Sequence, residues 1–126
     1  MRRIALALAL AAGLSVAACS GGSGGGSGSG APSGSIVVKL SEYKFDPNKI
    51  SHGTGSMTFF LENVGTTAHD MTIYDPSGKE VAASDLVQPG NDSTFNVSIG
   101  TAGTYPFKCT QPGHADAGMT GTLTIT

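Results

Sequence analysis

The chain has 126 residues, a formal charge of −2 and no Trp, and only 13% of its residues are charged. With Arg2 and Arg3 in the first three residues, everything after them carries five Lys against nine acidic residues, a net charge of −4. That balance gives no reason to expect nucleic acid as a partner, because such binding uses a basic footprint, and the length allows one modest folded domain rather than two.

Met1-Arg2-Arg3 is a short basic start, and Ile4 to Ala18 is an apolar run. A membrane-spanning helix needs roughly 20 apolar residues, so residues 1–18 read as a signal peptide. The run ends in Val16-Ala17-Ala18-Cys19. This resembles the bacterial lipobox, in which small residues precede a cysteine that is lipidated and becomes the mature N-terminus. Residues 19–35 are then the lipidated Cys19 and a Gly/Ser linker, which behaves as a flexible coil with a span of roughly 20–24 Å over Ser20–Ser35. Export and attachment to a membrane, facing the periplasm or the cell exterior, are the expectation.

The domain occupies 36–126, and its strands come in chain order. Ile36–Leu40 is the first. Asp46-Pro47-Asn48 is a turn, after which Lys49-Ile50 begins a short extended piece. His52–Gly55 is another turn, with His52 read as a surface residue. Met57–Asn63 alternates roughly, and Met71–Tyr74 follows, closed by the Asp75-Pro76-Ser77-Gly78 turn. Val81–Leu86 is expected as a short helical turn. Ser93–Ile99 alternates cleanly and sets Phe95, Val97 and Ile99 on one face. Gly103–Cys109 contains Pro106, which suggests an edge strand or a bulge. Gly121–Thr126 is the last strand. Short alternating runs with turn residues every 8–12 positions predict an all-β antiparallel sandwich or barrel.

The chemistry sits between the last two strands. Cys109, His114 and Met119 are spaced five residues apart, with Gly in both spacers and Pro112 in one. A loop of this kind curls so that a thiolate, an imidazole and a thioether converge. The fourth candidate is His69, between the strands that end at Asn63 and begin near Met71. Two imidazoles and one thiolate with a weak axial thioether is the donor set of blue copper. Met57 and Met71 are poorer axial candidates. Two cysteines in an exported chain first suggest a disulfide. Cys19 and Cys109 stand in such different contexts that separate roles, and no disulfide, are expected.

At these residues the sequence resembles the cupredoxins. Cys109-Thr110-Gln111-Pro112-Gly113-His114 is similar to the copper loop of azurins and auracyanins. Gly103-Thr104-Tyr105-x-Phe107-x-Cys109 and Asn63-x-Gly65 are similar to stretches of the same superfamily. The resemblance implies a Greek-key sandwich of about eight strands with one type 1 copper at one end. It implies electron transfer with redox proteins such as cytochromes or membrane complexes, by a monomer that is not an enzyme. It also implies that the backbone N–H groups of Asp70 and Gln111 donate to the Cys109 sulfur.

Two departures stand out. Four residues separate His114 from Met119, against three in azurins. Asp70 stands where the superfamily commonly has Asn, so it can accept a hydrogen bond from Thr110 but donate none, and its charge favours Cu(II). The alternative function is an extracytoplasmic copper carrier or chaperone. Three His in total leave too few ligands for a second copper site, and the single loop Cys excludes a dinuclear one. Zn could occupy such a set, but Cu(II) binds more tightly.

Overall fold

A computed structural model describes residues 30–126, so the signal segment, Cys19 and most of the linker lie outside the described residues. Nine strands are present among the described residues: β1 Ile36–Ser41, β2 Lys44–Asp46, β3 Lys49–His52, β4 Gly55–Asn63, β5 Thr72–Tyr74, β6 Glu80–Ala83, β7 Asp92–Ile99, β8 Gly103–Lys108 and β9 Thr120–Ile125. No helix occurs among the described residues, and the fold is the expected all-β sandwich. One sheet has the order β2-β1-β4-β7 and the other β3-β9-β8-β5-β6.

The alternation in the strands decides what faces inward. Val38 and Leu40 of β1, Met57, Phe59 and Leu61 of β4, Val97 and Ile99 of β7, and Leu123 and Ile125 of β9 are all buried. Successive side chains on a strand point to opposite faces, so each alternating set falls between the sheets. Phe95 packs against this core from β7, stacked on Phe59 with centroids 5.1 Å apart. Phe45 and Phe107 meet edge to face across the sandwich at 5.1 Å. Gly121 lies beneath Phe107 so closely that a Cβ there would stand 2.2 Å from the ring. Tyr105 buries its ring and donates its hydroxyl to Thr101 O at 2.9 Å, which satisfies the one polar atom it carries inward.

Three expectations are corrected. The sheets are not wholly antiparallel, because β1 runs parallel to β4 and β3 parallel to β9. Val81–Leu86 does not form a helical turn. Its first half belongs to strand β6, which pairs with β5. The hairpin is set by Asp75, whose Oδ1 accepts from the Ser77 and Lys79 N–H groups at 2.8 and 2.9 Å. Strand β2 follows β1 through a turn with Tyr43 at φ +54, a position where glycine would be the usual signal. Pro106 lies neither on an edge strand nor at a bulge, since β8 sits between β9 and β5. It is tolerated because the β5 ladder covers only Lys108 and Phe107 and stops just before it.

Strand direction places the site. β1, β4 and β8 run towards one pole, where their ends meet the β1–β2 turn, the 64–71 connection and the 109–119 loop. β9 runs away from that pole and ends the chain at the other.

Candidate metal centre

Cys109 follows directly on β8, so the last regular residue of that strand fixes where the sulfur stands. The loop beyond it is closed by its own backbone. Cys109 N–H donates to Met119 O at 3.2 Å, and Met119 N–H donates to His114 O at 3.0 Å. Two further turns, His114 N–H to Gln111 O at 3.1 Å and Ala117 N–H to Gly113 O at 3.0 Å, curl the loop between. The thiol and Met119 are buried and His114 is half-buried. Pro112, Gly113, Ala117 and Gly118 are exposed around it.

His69 comes from the opposite sheet's connection and is fully buried. It is held by a two-residue bridge with Val87, N–H to O in both directions at 3.1 and 2.8 Å. Asn63 locks the same region. Its buried side chain donates to Thr67 O at 2.7 Å and Val87 O at 2.8 Å, and accepts from Gly65 N–H at 2.9 Å. The Asn63-x-Gly65 pattern is therefore the clamp of the His69 connection.

The imidazoles of His69 and His114 present Nδ1 to each other at 3.1 Å, and Cys109 Sγ lies 3.5 Å from His114 Nδ1. The ligand atoms of these three residues all lie within 4.8 Å of one another, the one such cluster among the described residues. Burial holds His69 below the usual imidazole range, and the nearby His114 adds to this. Burial pushes the Cys109 thiol up, while the backbone N–H groups of Asp70 and Gln111 pull it back by donating to the sulfur. A soft thiolate and two imidazoles aimed at one dry point is a donor set that copper fits in both oxidation states.

Asp70 ties the two ligand connections together. Its carboxylate accepts from Thr110 N–H at 2.6 Å, from the Thr110 hydroxyl, and from Gln111 Nε2 at 3.4 Å. All three contacts are donations to Asp70, so an acceptor-only side chain serves where Asn is usual. His52 lies at the far end of β3, its Nδ1 2.8 Å from Gly53 O, and takes no part. Met57 and Met71 are core residues.

Three residues of the site carry no sequence signal. Glu42, in the β1–β2 turn, accepts from Thr66 N–H at 2.6 Å and Thr67 N–H at 2.8 Å. These two bonds lower its carboxyl to about 2. Its Oε1 stands 3.5 Å from His69 Nε2, and Thr67 Oγ1 stands 3.3 Å from the same nitrogen. Tyr43, 45% exposed, packs its ring in a T-shaped contact with that of His114 at 5.1 Å between centroids.

The profile of the copper-binding plastocyanin/azurin family matches residues 33–126. The chain belongs to this family. Plastocyanin of Dryopteris crassirhizoma is 32% identical over 97 residues, spanning 69% of this chain and 92% of the relative. Plastocyanin of Prochlorothrix hollandica is 35% identical over 88 residues, spanning 64% of this chain and 62% of that protein. The chain spans about half the length of the chloroplastic plastocyanin of Hordeum vulgare, with 37% identity over 87 residues. Among solved structures, the dithionite-reduced auracyanin of Roseiflexus castenholzii superposes with a TM-score of 0.67 at 22% identity, covering 76% of this chain and 99% of the other. Auracyanin A of Chloroflexus aurantiacus, described as a blue copper protein, gives 0.61 at 18% identity, covering 74% of this chain and all of the other. Family membership makes the His69–Cys109–His114 cluster a copper site, and the cofactor is copper.

Proposed function

We propose that the protein is a one-electron carrier that works at the outer face of a bacterial membrane, tethered through Cys19. The observation that carries the electron-transfer reading is the convergence of Cys109 Sγ with the Nδ1 atoms of His69 and His114 at a buried point, beside a loop braced by its own backbone. Bound copper supplies the redox chemistry, alternating between Cu(II) and Cu(I). Cys109 and the two imidazoles would hold the copper, and the buried Met119, whose thioether is a soft donor, would complete the set. The backbone bonds of the 109–119 loop hold the donors in place, which would let an electron move with little rearrangement.

His114 is the exit. It alone of the three cluster residues is not fully buried, and the small side chains around it allow close approach of a redox protein. The reading is that of a monomeric carrier rather than an enzyme.

The direct test is the visible and EPR spectrum of the Cu(II)-loaded protein together with voltammetry. An intense thiolate-to-copper band near roughly 600 nm and a reversible midpoint potential are expected of the type 1 set; without the band, the reading fails. A copper carrier with the same ligands would show the band but sluggish self-exchange. The tether rests on the basic start, the apolar run and the Val16-Ala17-Ala18-Cys19 motif. Mass spectrometry of the mature N-terminus tests it, and an unmodified Cys19 or cleavage elsewhere removes it.

A further inference from the structure

Glu42 has no part in the ligand set, yet its surroundings are built. Its Oε1 accepts from the N–H groups of Thr66 and Thr67, and from the Thr67 hydroxyl at 3.2 Å. Gly65 makes room for it, since a Cβ there would lie 2.6 Å from Oε1 and 2.9 Å from Oε2. Two-thirds of the side chain is covered, with 34% exposed. The seat lies against the outer nitrogen of a buried copper ligand.

The hydrogen-bond directions then fix the imidazole. The Thr67 hydroxyl has one proton, and it goes to Glu42 Oε1. Its oxygen can therefore only accept from His69 Nε2, 3.3 Å away. Nε2 carries the proton, with Glu42 Oε1 at 3.5 Å as a second acceptor. Nδ1, on the opposite side of the ring, is left with its lone pair facing Cys109 and His114. A carboxylate behind a metal-bound histidine orients the ring and raises its basicity.

We infer that Glu42 is a positioning residue for His69, which acts through Thr67 to hold the imidazole in its metal-ready tautomer and whose charge favours Cu(II). The role rests on the copper reading above, and it adds a second carboxylate, beside Asp70, to the surroundings of one ligand. The site is accordingly biased towards the oxidised state from both the β1–β2 turn and the 64–71 connection.

The test uses wild type, Glu42→Gln and Gly65→Ala, with Glu80→Gln as control for the loss of one charge from the exposed strand β6. Glu42→Gln keeps the shape and removes the charge. Gly65→Ala leaves Glu42 intact and evicts it. In copper-loaded protein both should shift the reduction equilibrium against a reference couple about fivefold towards Cu(I), or about 40 mV at 59 mV per tenfold. The Glu80→Gln control should move it less than about twofold. A blue protein whose Glu42→Gln potential moves no further than the control overturns the role of Glu42 and leaves the copper reading standing. An absent blue band in wild type defeats the copper reading instead. Long-range ¹⁵N–¹H spectra of the metal-free wild type decide the tautomer independently: His69 protonated at Nε2 supports the inference, and protonation at Nδ1 overturns it.

Discussion

Replacing Asn63 by Ala tests whether the His69 connection is held by the clamp described above. The side chain is 2% exposed and makes three hydrogen bonds, to Thr67 O, Val87 O and Gly65 N–H. At about 1 kcal/mol net for each bond, the loss is about 3 kcal/mol. Val87 O keeps the His69 N–H as a partner, so one of the two abandoned carbonyls is not orphaned, and the figure does not grow much beyond that. For a domain of this size, about 3 kcal/mol corresponds to a fall in melting temperature of roughly 12–24 °C. Urea denaturation of the metal-free protein measures it, with wild type and Asn63→Asp alongside. The Asp variant keeps the acceptor for Gly65 but turns a carboxylate towards two carbonyl oxygens, so it should be no more stable than the Ala variant. Because the clamp sits between β4 and His69, both variants should also release copper faster while the protein remains blue. A loss below about 1 kcal/mol, or an Asp variant close to wild type, would refute the reasoning.

Gly121→Ala should cost about 1–3 kcal/mol or more as overpacking, because its Cβ would meet the Phe107 ring at 2.2 Å and Asn48 O at 2.6 Å; a urea midpoint equal to wild type would show that the ring moves freely. Ala117→Lys adds a charged arm to the exposed rim of His114, so electron self-exchange measured by NMR line broadening should slow while the visible spectrum stays unchanged. Asp75 is held below its usual carboxylate range by the Ser77 hydroxyl and the Lys79 N–H. Its contribution is therefore complete above the ordinary value of 3.8 and disappears as pH falls through the lower folded value. The stability advantage of wild type over Asp75→Asn, measured by denaturant titration at several pH values, should be constant above pH 5 or so and shrink below 3.8.

Much of this could be read in the chain because strands with one buried face write their alternation into the sequence. Ser93–Ile99 and Gly121–Thr126 are of that kind, and both are found within a residue of where the pattern puts them. The copper loop was legible for a different reason: three soft or imidazole donors at equal spacing have no common structural purpose. β2 and β6 were not legible, since strands of three or four residues are too short to carry a period. Their existence depends on the neighbouring strands β1 and β5 that they pair with. Glu42 could not be found at all. It precedes His69 by 27 positions and reaches it only because β1 and β4 run parallel and bring the β1–β2 turn beside the 64–71 connection. The Asn63-x-Gly65 pattern was visible as a likeness, but its meaning as a clamp needed the partners Thr67 and Val87.

The parallel pairing of β1 with β4 and the direction of β9 have one more consequence. Ile36 enters and Thr126 leaves at the same pole, with Thr126 hydrogen-bonded to Thr54 and His52 there. The metal cluster occupies the other pole. The six residues of β1 alone span about 20 Å at 3.3 Å each. The domain therefore has a head and a tail. Whatever is joined to either end of the 36–126 unit, a lipid leash, a surface for electrochemistry or a fused reporter, holds it by the tail and leaves the head turned outward to meet a partner.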